Sequence, residues 1–154
     1  MQLRRYQPGD LAAILSLFRD TVHRIAAADY SPAQLDAWAP AQPDEAAWAL
    51  SLRHNLALVA VEGGELVGFG DIDLAAGYLD RLYVHSGRQR RGIATALCGA
   101  LEASCGAPRL TTHASLTARP FFERQGWRVV NRQTVVRRGV ELDNFVMEKL
   151  RRGL

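Results

Sequence analysis

The amino-acid sequence predicts an α/β fold built on a mixed, mostly antiparallel sheet. Three observations predict it. Apolar residues recur at helical spacing through the first third of the chain. Three short apolar runs divided by turn residues then occupy the region from Leu56 to Val84. A basic loop comes next, then an amphipathic helix and a closing hairpin.

Each element has its own signal. Leu3 to Tyr6 reads as a short strand, broken by Pro8-Gly9, with Asp10 placed to cap the first helix. Leu11, Ile14, Leu15, Phe18 and Val22 mark that helix. Ser31-Pro32 opens a second, with serine as N-cap and proline at the first helical position. Pro40 and Pro43 close it, and Asp44 starts a third helix carrying Trp48 and Leu52. Leu56–Val61 and Leu66–Ile72 flank the turn Glu62-Gly63-Gly64-Glu65 as a hairpin. A turn at Ala75-Ala76-Gly77 leads into a third strand, Tyr78 to Val84. After the loop His85 to Arg91, residues Ile93, Ala94, Leu97, Cys98 and Leu101 form an apolar helical face, which Gly106-Ala107-Pro108 ends. Arg109 to His113 is a strand and Ala118 to Gln125 a short helix with Gly126 at C′. Trp127 to Arg137 and Val140 to Leu150 form the last hairpin around Arg138-Gly139. The whole amounts to about six to seven strands flanked by about four to five helices, in one domain over residues 1–154.

Composition narrows the function. The 154 residues are 48% hydrophobic and 23% charged, which is ordinary for a globular chain and argues against disorder. A net charge of +3, from 19 basic and 16 acidic side chains, gives no reason to expect nucleic acid. Cys98 and Cys105 make no disulfide framework, and His23, His54, His85 and His113 are too scattered for a metal set. The first residues carry no apolar run of the signal-peptide kind, and no stretch is long enough to span a membrane. The expected compartment is the cytoplasm, with no metal, nucleic-acid or membrane partner.

The chemistry concentrates in the segment from Leu82 to Leu97. A strand enters a loop, and the loop enters a helix at Gly92-Ile93-Ala94. Free N–H groups of a first helical turn carry positive partial charge, and Gly92 lets an anion approach the backbone. Arg88, Arg90 and Arg91 add three cations within four residues. The arrangement suits a pyrophosphate; a solvated basic connection is the plain alternative. Neither GxGxxG nor GxxxxGK[ST] is present, so a dinucleotide fold or P-loop is not expected.

Gln89-x-x-Gly92-x-Ala94 after the Leu-Tyr-Val strand resembles the acetyl-CoA signature of the GNAT N-acetyltransferase superfamily. The segment Ser115 to Trp127 resembles that family's second element, N-x-x-A-x-x-F-Y-x-x-x-G-F, and falls at the expected distance. Element order matches along nearly the whole chain. Tyr30-Ser31-Pro32-Ala33-Gln34, the run Ala118 to Arg124, and Asn144-Phe145-Val146-Met147 resemble the small bacterial YafP-like branch.

The resemblance implies a GNAT fold, acetyl-CoA as co-substrate and transfer of its acetyl group to a primary amine of a small molecule, by direct attack in a ternary complex. It implies that backbone N–H groups of Gln89, Arg90, Arg91, Gly92, Ile93, Ala94 and Thr95 hold the pyrophosphate. Leu82, Tyr83 and Val84 would pair with the pantetheine arm like an added strand. Ser115, Ala118, Phe121 and Phe122 would flank that arm, with Arg124 within reach of a phosphate. Two positions depart from the pattern. Ser115 replaces asparagine, and Phe122 stands where many relatives have tyrosine, so the usual donor to the leaving thiolate is missing.

The amine must lose a proton, directly or through water. Tyr78 and Asp80 are the leading candidates to accept it, with Asp71, Asp73 and His113 as others. Simple alternation along the strand puts Asp80 on the sheet face of Leu82. A backbone N–H of Leu82–Val84 can serve the oxyanion. His23, Tyr30 and Trp38 are the candidates for the acceptor wall, beside Asp29 and Tyr83. Two other readings stay open: a non-catalytic acyl-CoA-binding regulatory domain, and a protein or peptide N-acetyltransferase. Pairing of the closing strands across a two-fold axis would make a homodimer.

Overall fold

A computed structural model describes residues 1–151. Its elements run in order as β1 (Gln2–Arg5), α1 (Leu11–Ile25), α2 (Pro32–Trp38), α3 (Glu45–His54), β2 (Leu56–Glu62), β3 (Glu65–Asp73), β4 (Tyr78–Val84), α4 (Ile93–Ser104), β5 (Arg109–Ser115), α5 (Arg119–Arg124), β6 (Arg128–Arg137) and β7 (Val140–Leu150). Seven strands form one sheet in the order β1-β2-β3-β4-β5-β7-β6. Every pairing is antiparallel except β4 with β5. This is the α/β GNAT fold the motifs imply.

Local chemistry explains the boundaries. Ser31 caps α2 as half of a reciprocal box with Gln34, and Asp44 caps α3 through the Ala47 N–H at 3.0 Å. Gly63 and Gly64, at φ of 57° and 79°, supply the two left-handed positions of a tight hairpin turn. Asp10 behaves differently from its expected role. It closes a short 3₁₀ turn at Pro8–Asp10, accepting from the Gln7 N–H and pairing with Arg4 at 2.9 Å, and gives α1 no side-chain cap.

Two apolar layers sandwich the sheet. Helices α1 to α3 pack on one face, where Ile14, Phe18, Val22 and Leu52 meet Val59 and Phe69. The other face belongs to α4, through Ile93, Leu97, Cys98 and Leu101. A Cβ at Gly70 would lie 3.0 Å from the Arg81 carbonyl oxygen and from Leu101, so only glycine lets α4 settle this close. Among the described residues no helix is long and apolar enough to cross a membrane.

Candidate functional site

The site originates in one interrupted pairing. Strand β5 pairs with β7 along its whole length, from Arg109 to Ser115. With β4 it pairs only at Tyr78↔Thr111 and Leu79↔Thr112. Beyond Leu79 the strands diverge, and β4 from Asp80 to Val84 presents an unpaired edge. The His85 N–H bonds the Val67 carbonyl on the β3 side at 2.8 Å, so alternation turns the N–H groups of Leu82 and Val84 toward that open edge. Two cavities, of about 680 and about 340 Å³, meet there. Trp38, Leu82, Tyr83, Ser115, Ala118 and Phe122 line both.

The larger cavity runs to the N-terminus of α4. Arg90 and Gly92 hold positive φ, 62° and 81°. Such a loop turns successive N–H groups inward as an anion nest. Ala96 N–H is bonded to Gly92 O, so the N–H groups of Ile93, Ala94 and Thr95, ahead of it, have no intrahelical acceptor. A Cβ on Gly92 meets no atom within 4 Å, so the space in front of the nest is open. The donors, the concavity and the open approach fit a pyrophosphate.

Val84, Gln89, Arg90, Gly92, Ile93, Ala94, Thr95, Phe121 and Arg124 join the six shared residues in lining this cavity. Arg91 does not line it. The Gln89 side chain faces the loop itself: its amide donates to the Val84 and His85 carbonyls, at 2.7 and 3.3 Å. That bond fixes the loop's curvature and leaves any ligand contact to the backbone. Arg88 also lines the cavity, while its guanidinium lies 3.3 Å from Glu62 and 3.5 Å from Glu65. Sequence reasoning missed Thr21, a buried residue on α1 whose hydroxyl donates to the Val84 carbonyl at 3.1 Å. A threonine in an amphipathic helix carries no signal of that role.

The smaller cavity lies on the α1–α3 face of the sheet, under the β6–β7 hairpin. Trp38, Trp48 and Tyr83 form its aromatic wall; Tyr78, Asp80 and His113 supply titratable groups. A bulge in β4 sets the carboxylate. Asp71 pairs with Arg81 and Ile72 with Leu79, which leaves Asp80 as the extra residue. The expectation that Asp80 shares a face with Leu82 is therefore corrected. Leu79 and Leu82 pack on the α4 side, whereas Asp80 meets the α3 side, where the Asn55 amide donates to its Oδ2 at 3.3 Å and Arg81 lies 3.4 Å away.

Asp71 is the anchor of this cluster. It is fully buried, bonded twice by Arg81 at 3.2 and 2.7 Å and once by Asn55 at 3.0 Å. Burial raises its carboxyl above the ordinary value, and the Arg81 charge opposes that shift. Arg81 stacks over Trp48 at 4.4 Å. Asp71 lines neither cavity, so it holds Arg81 rather than facing an acceptor. Asp73 lines neither cavity as well; it caps the adjoining turn through the Ala75 and Ala76 N–H groups.

The Tyr78 hydroxyl is pushed up to about 12, by burial first and the Asp80 charge second. It stays protonated at neutral pH and so donates rather than accepts. Burial and the Arg137 charge hold the His113 imidazole below its ordinary value, which favours its neutral form.

Two acceptor-wall candidates are reassigned. His23 reaches neither cavity: its Nε2 is 2.8 Å from the Ala39 carbonyl and 3.7 Å from Asp36, so it ties α1 to the end of α2. Tyr30 lends its ring to the smaller cavity, but its hydroxyl donates to Asp143 O at 2.6 Å and accepts from the Leu116 N–H at 3.0 Å. That hydroxyl is a strut between the segment joining α1 to α2 and the far strands. Trp38 faces both cavities and contacts Tyr30 edge-on at 5.3 Å.

The profile of the Acetyltransferase (GNAT) domain matches residues 26–149. The chain is 41% identical over 147 residues to the uncharacterized N-acetyltransferase YafP of Escherichia coli (strain K12), covering 96% of this chain and 94% of that protein. It superposes on a GCN5-related N-acetyltransferase from Rhodopseudomonas palustris with a TM-score of 0.92 at 37% identity, over 97% of this chain and 94% of the other. It shares its fold with the PaiA N-acetyltransferase of Thermoplasma acidophilum, solved in complex with coenzyme A, at a TM-score of 0.78 and 18% identity, over 97% and 98% of the two chains. An interrupted β4–β5 pairing, an anion nest at the start of α4, and matches that span nearly the whole chain place it in one family: the chain belongs to the GNAT acetyltransferases.

Proposed function

We propose that this protein transfers the acetyl group of acetyl-CoA to a primary amine of a small molecule, by direct attack in a ternary complex. The observation that carries the reading is the junction of the two cavities at the unpaired edge of β4. An elongated phosphorylated ligand would enter from the α4 side and an amine from the β6–β7 side. Bound acetyl-CoA would supply an activated thioester to that junction.

The chain's own groups have distinct tasks. The N–H groups of Arg90 and of Gly92 to Thr95 receive the pyrophosphate. Leu82 and Val84 offer N–H donors at the open edge for a carbonyl oxygen. Asp80 accepts the amine's proton, through water, with only its Oδ2 engaged among the described residues. Neutral His113 is the second acceptor on the same cavity. Tyr78 donates a hydrogen bond and orients. Holding both reactants together supplies much of the rate. The smaller cavity, about 340 Å³ and walled by aromatic rings, suits a small amine better than a peptide.

Calorimetric titration with acetyl-CoA, followed by thiol release with a panel of amines, tests the proposal. Binding with amine-dependent release is the expected result. Binding without release would favour an acyl-CoA-sensing domain, a reading to which Phe122 gives a footing. No binding would overturn the assignment.

A further inference from the structure

The charges around the smaller cavity sum to zero, but they are not all paired. Two carboxylates line it, and each already has a cation: Asp143 lies 2.8 Å from Arg132, and Asp80 lies 3.4 Å from Arg81. Arg81 is itself bound to buried Asp71 at 2.7 Å. The remaining cation is Arg137, near the end of β6. Among the described residues it pairs with no carboxylate, and its one hydrogen bond goes to the neighbouring Val136 carbonyl at 3.2 Å. Its direction is set by the strand. Val135, two residues earlier on the same strand face, packs into the core beneath the β6–β7 hairpin. Arg137 thus lines the cavity across from Tyr78 and His113 and is near enough to act on both titrations.

We propose that the acceptor is an amine that also carries a carboxylate, with an apolar or aromatic body between the two groups, and that Arg137 binds the carboxylate. The proposal rests on the acetyltransferase reading and sharpens it. A polycationic amine would face the Arg137 guanidinium, which pairs with no carboxylate among the described residues. An ω-amino acid or aminoaryl acid would instead neutralise Arg137 through a bidentate, charge-assisted pair. Its body would lie along Trp38, Trp48 and Tyr83, and its amine would point toward the β4 edge.

Matched acceptor pairs test this: 6-aminohexanoate against pentylamine, 4-(aminomethyl)benzoate against benzylamine, and 4-aminobenzoate against aniline. Binding is measured calorimetrically with CoA present, and kcat/KM by thiol release. The carboxylated member of at least one pair should bind and react better by roughly tenfold or more, the effect of one charge-assisted hydrogen bond. In Arg137→Gln that preference should collapse toward unity through KM, and Arg137→Lys should restore part of it. Melting temperatures show that both variants are folded. If no pair prefers the acid, or if the preference survives in Arg137→Gln, the proposal is overturned while acetyl transfer stands. If acetyl-CoA itself fails to bind, both readings fall together.

Discussion

The two cavities that meet at β4 are built by different means. The larger centres on backbone groups: a loop of positive φ at Arg90 and Gly92, the first turn of α4 and the open edge of Leu82–Val84. The smaller is lined by residues drawn from α1, α2, α3, α5, β4, β5 and both strands of the closing hairpin. A backbone site constrains a short run of sequence, because it needs glycine or another small residue where the ligand approaches. A side-chain site needs only that distant residues arrive together, and each of them can be changed without altering the loop that carries it. The first kind is suited to a ligand that stays constant; the second is suited to an acceptor that varies.

Substitutions can break each side of this comparison separately. Gly92→Glu should have the largest effect. It brings a carboxylate to the nest and demands φ of 81° from a residue with a Cβ. The backbone cost alone is about 1–2 kcal/mol, which a typical domain survives. CoA affinity should fall by at least about a hundredfold through lost anion binding and added repulsion. Calorimetry on protein with an unchanged circular dichroism spectrum checks it, and wild-type affinity would remove the nest from the site. Gly92→Ala sharpens the point, because a Cβ there meets no atom. It carries the strain without the charge, so its loss of affinity should be far smaller.

Asp80→Asn is the matching change in the side-chain cavity. It should leave CoA affinity intact and lower kcat by about a hundredfold, the range of a single general base. A fall of less than about threefold would pass the task to His113, and His113→Gln would then carry the large effect.

Legibility in the sequence followed the same division. Strand and helix boundaries were readable because apolar spacing and caps such as Ser31 and Asp44 act locally. The α4 nest was readable because Gly92 and its neighbours form a contiguous motif. The bulge at Asp80 was not: it depends on pairing with β3, and simple alternation put the carboxylate on the wrong face. His23 and Tyr30 are polar residues near the site in sequence, yet their polar atoms bond the Ala39 and Asp143 carbonyls, contacts fixed only by the packing of α2 and β7. Thr21 lies 63 residues from Val84, and no local pattern connects the two.

The smallest expected effect concerns Phe122, one of the six residues both cavities share at their junction. Phe122 is buried and contacts Phe121 and Trp127 edge-on, at 5.3 and 5.4 Å. It has no proton to give a departing thiolate. A thiol with an ordinary pKa near about 8.5 is a tolerable leaving group, so the missing donor limits the reaction only if thiolate expulsion is the slow step. Phe122→Tyr keeps the ring and adds a hydroxyl that can point into the cavities the ring lines. If proton delivery limits turnover, kcat should rise, by about tenfold at most, and its alkaline limb should move with the new phenol. If amine attack is slow, kcat should change by less than about threefold. A loss greater than about tenfold with an unchanged melting temperature would show that the phenyl face itself seats the thioester. Phe122 would then belong to the fixed, ligand-shaping side of the junction rather than to its chemistry.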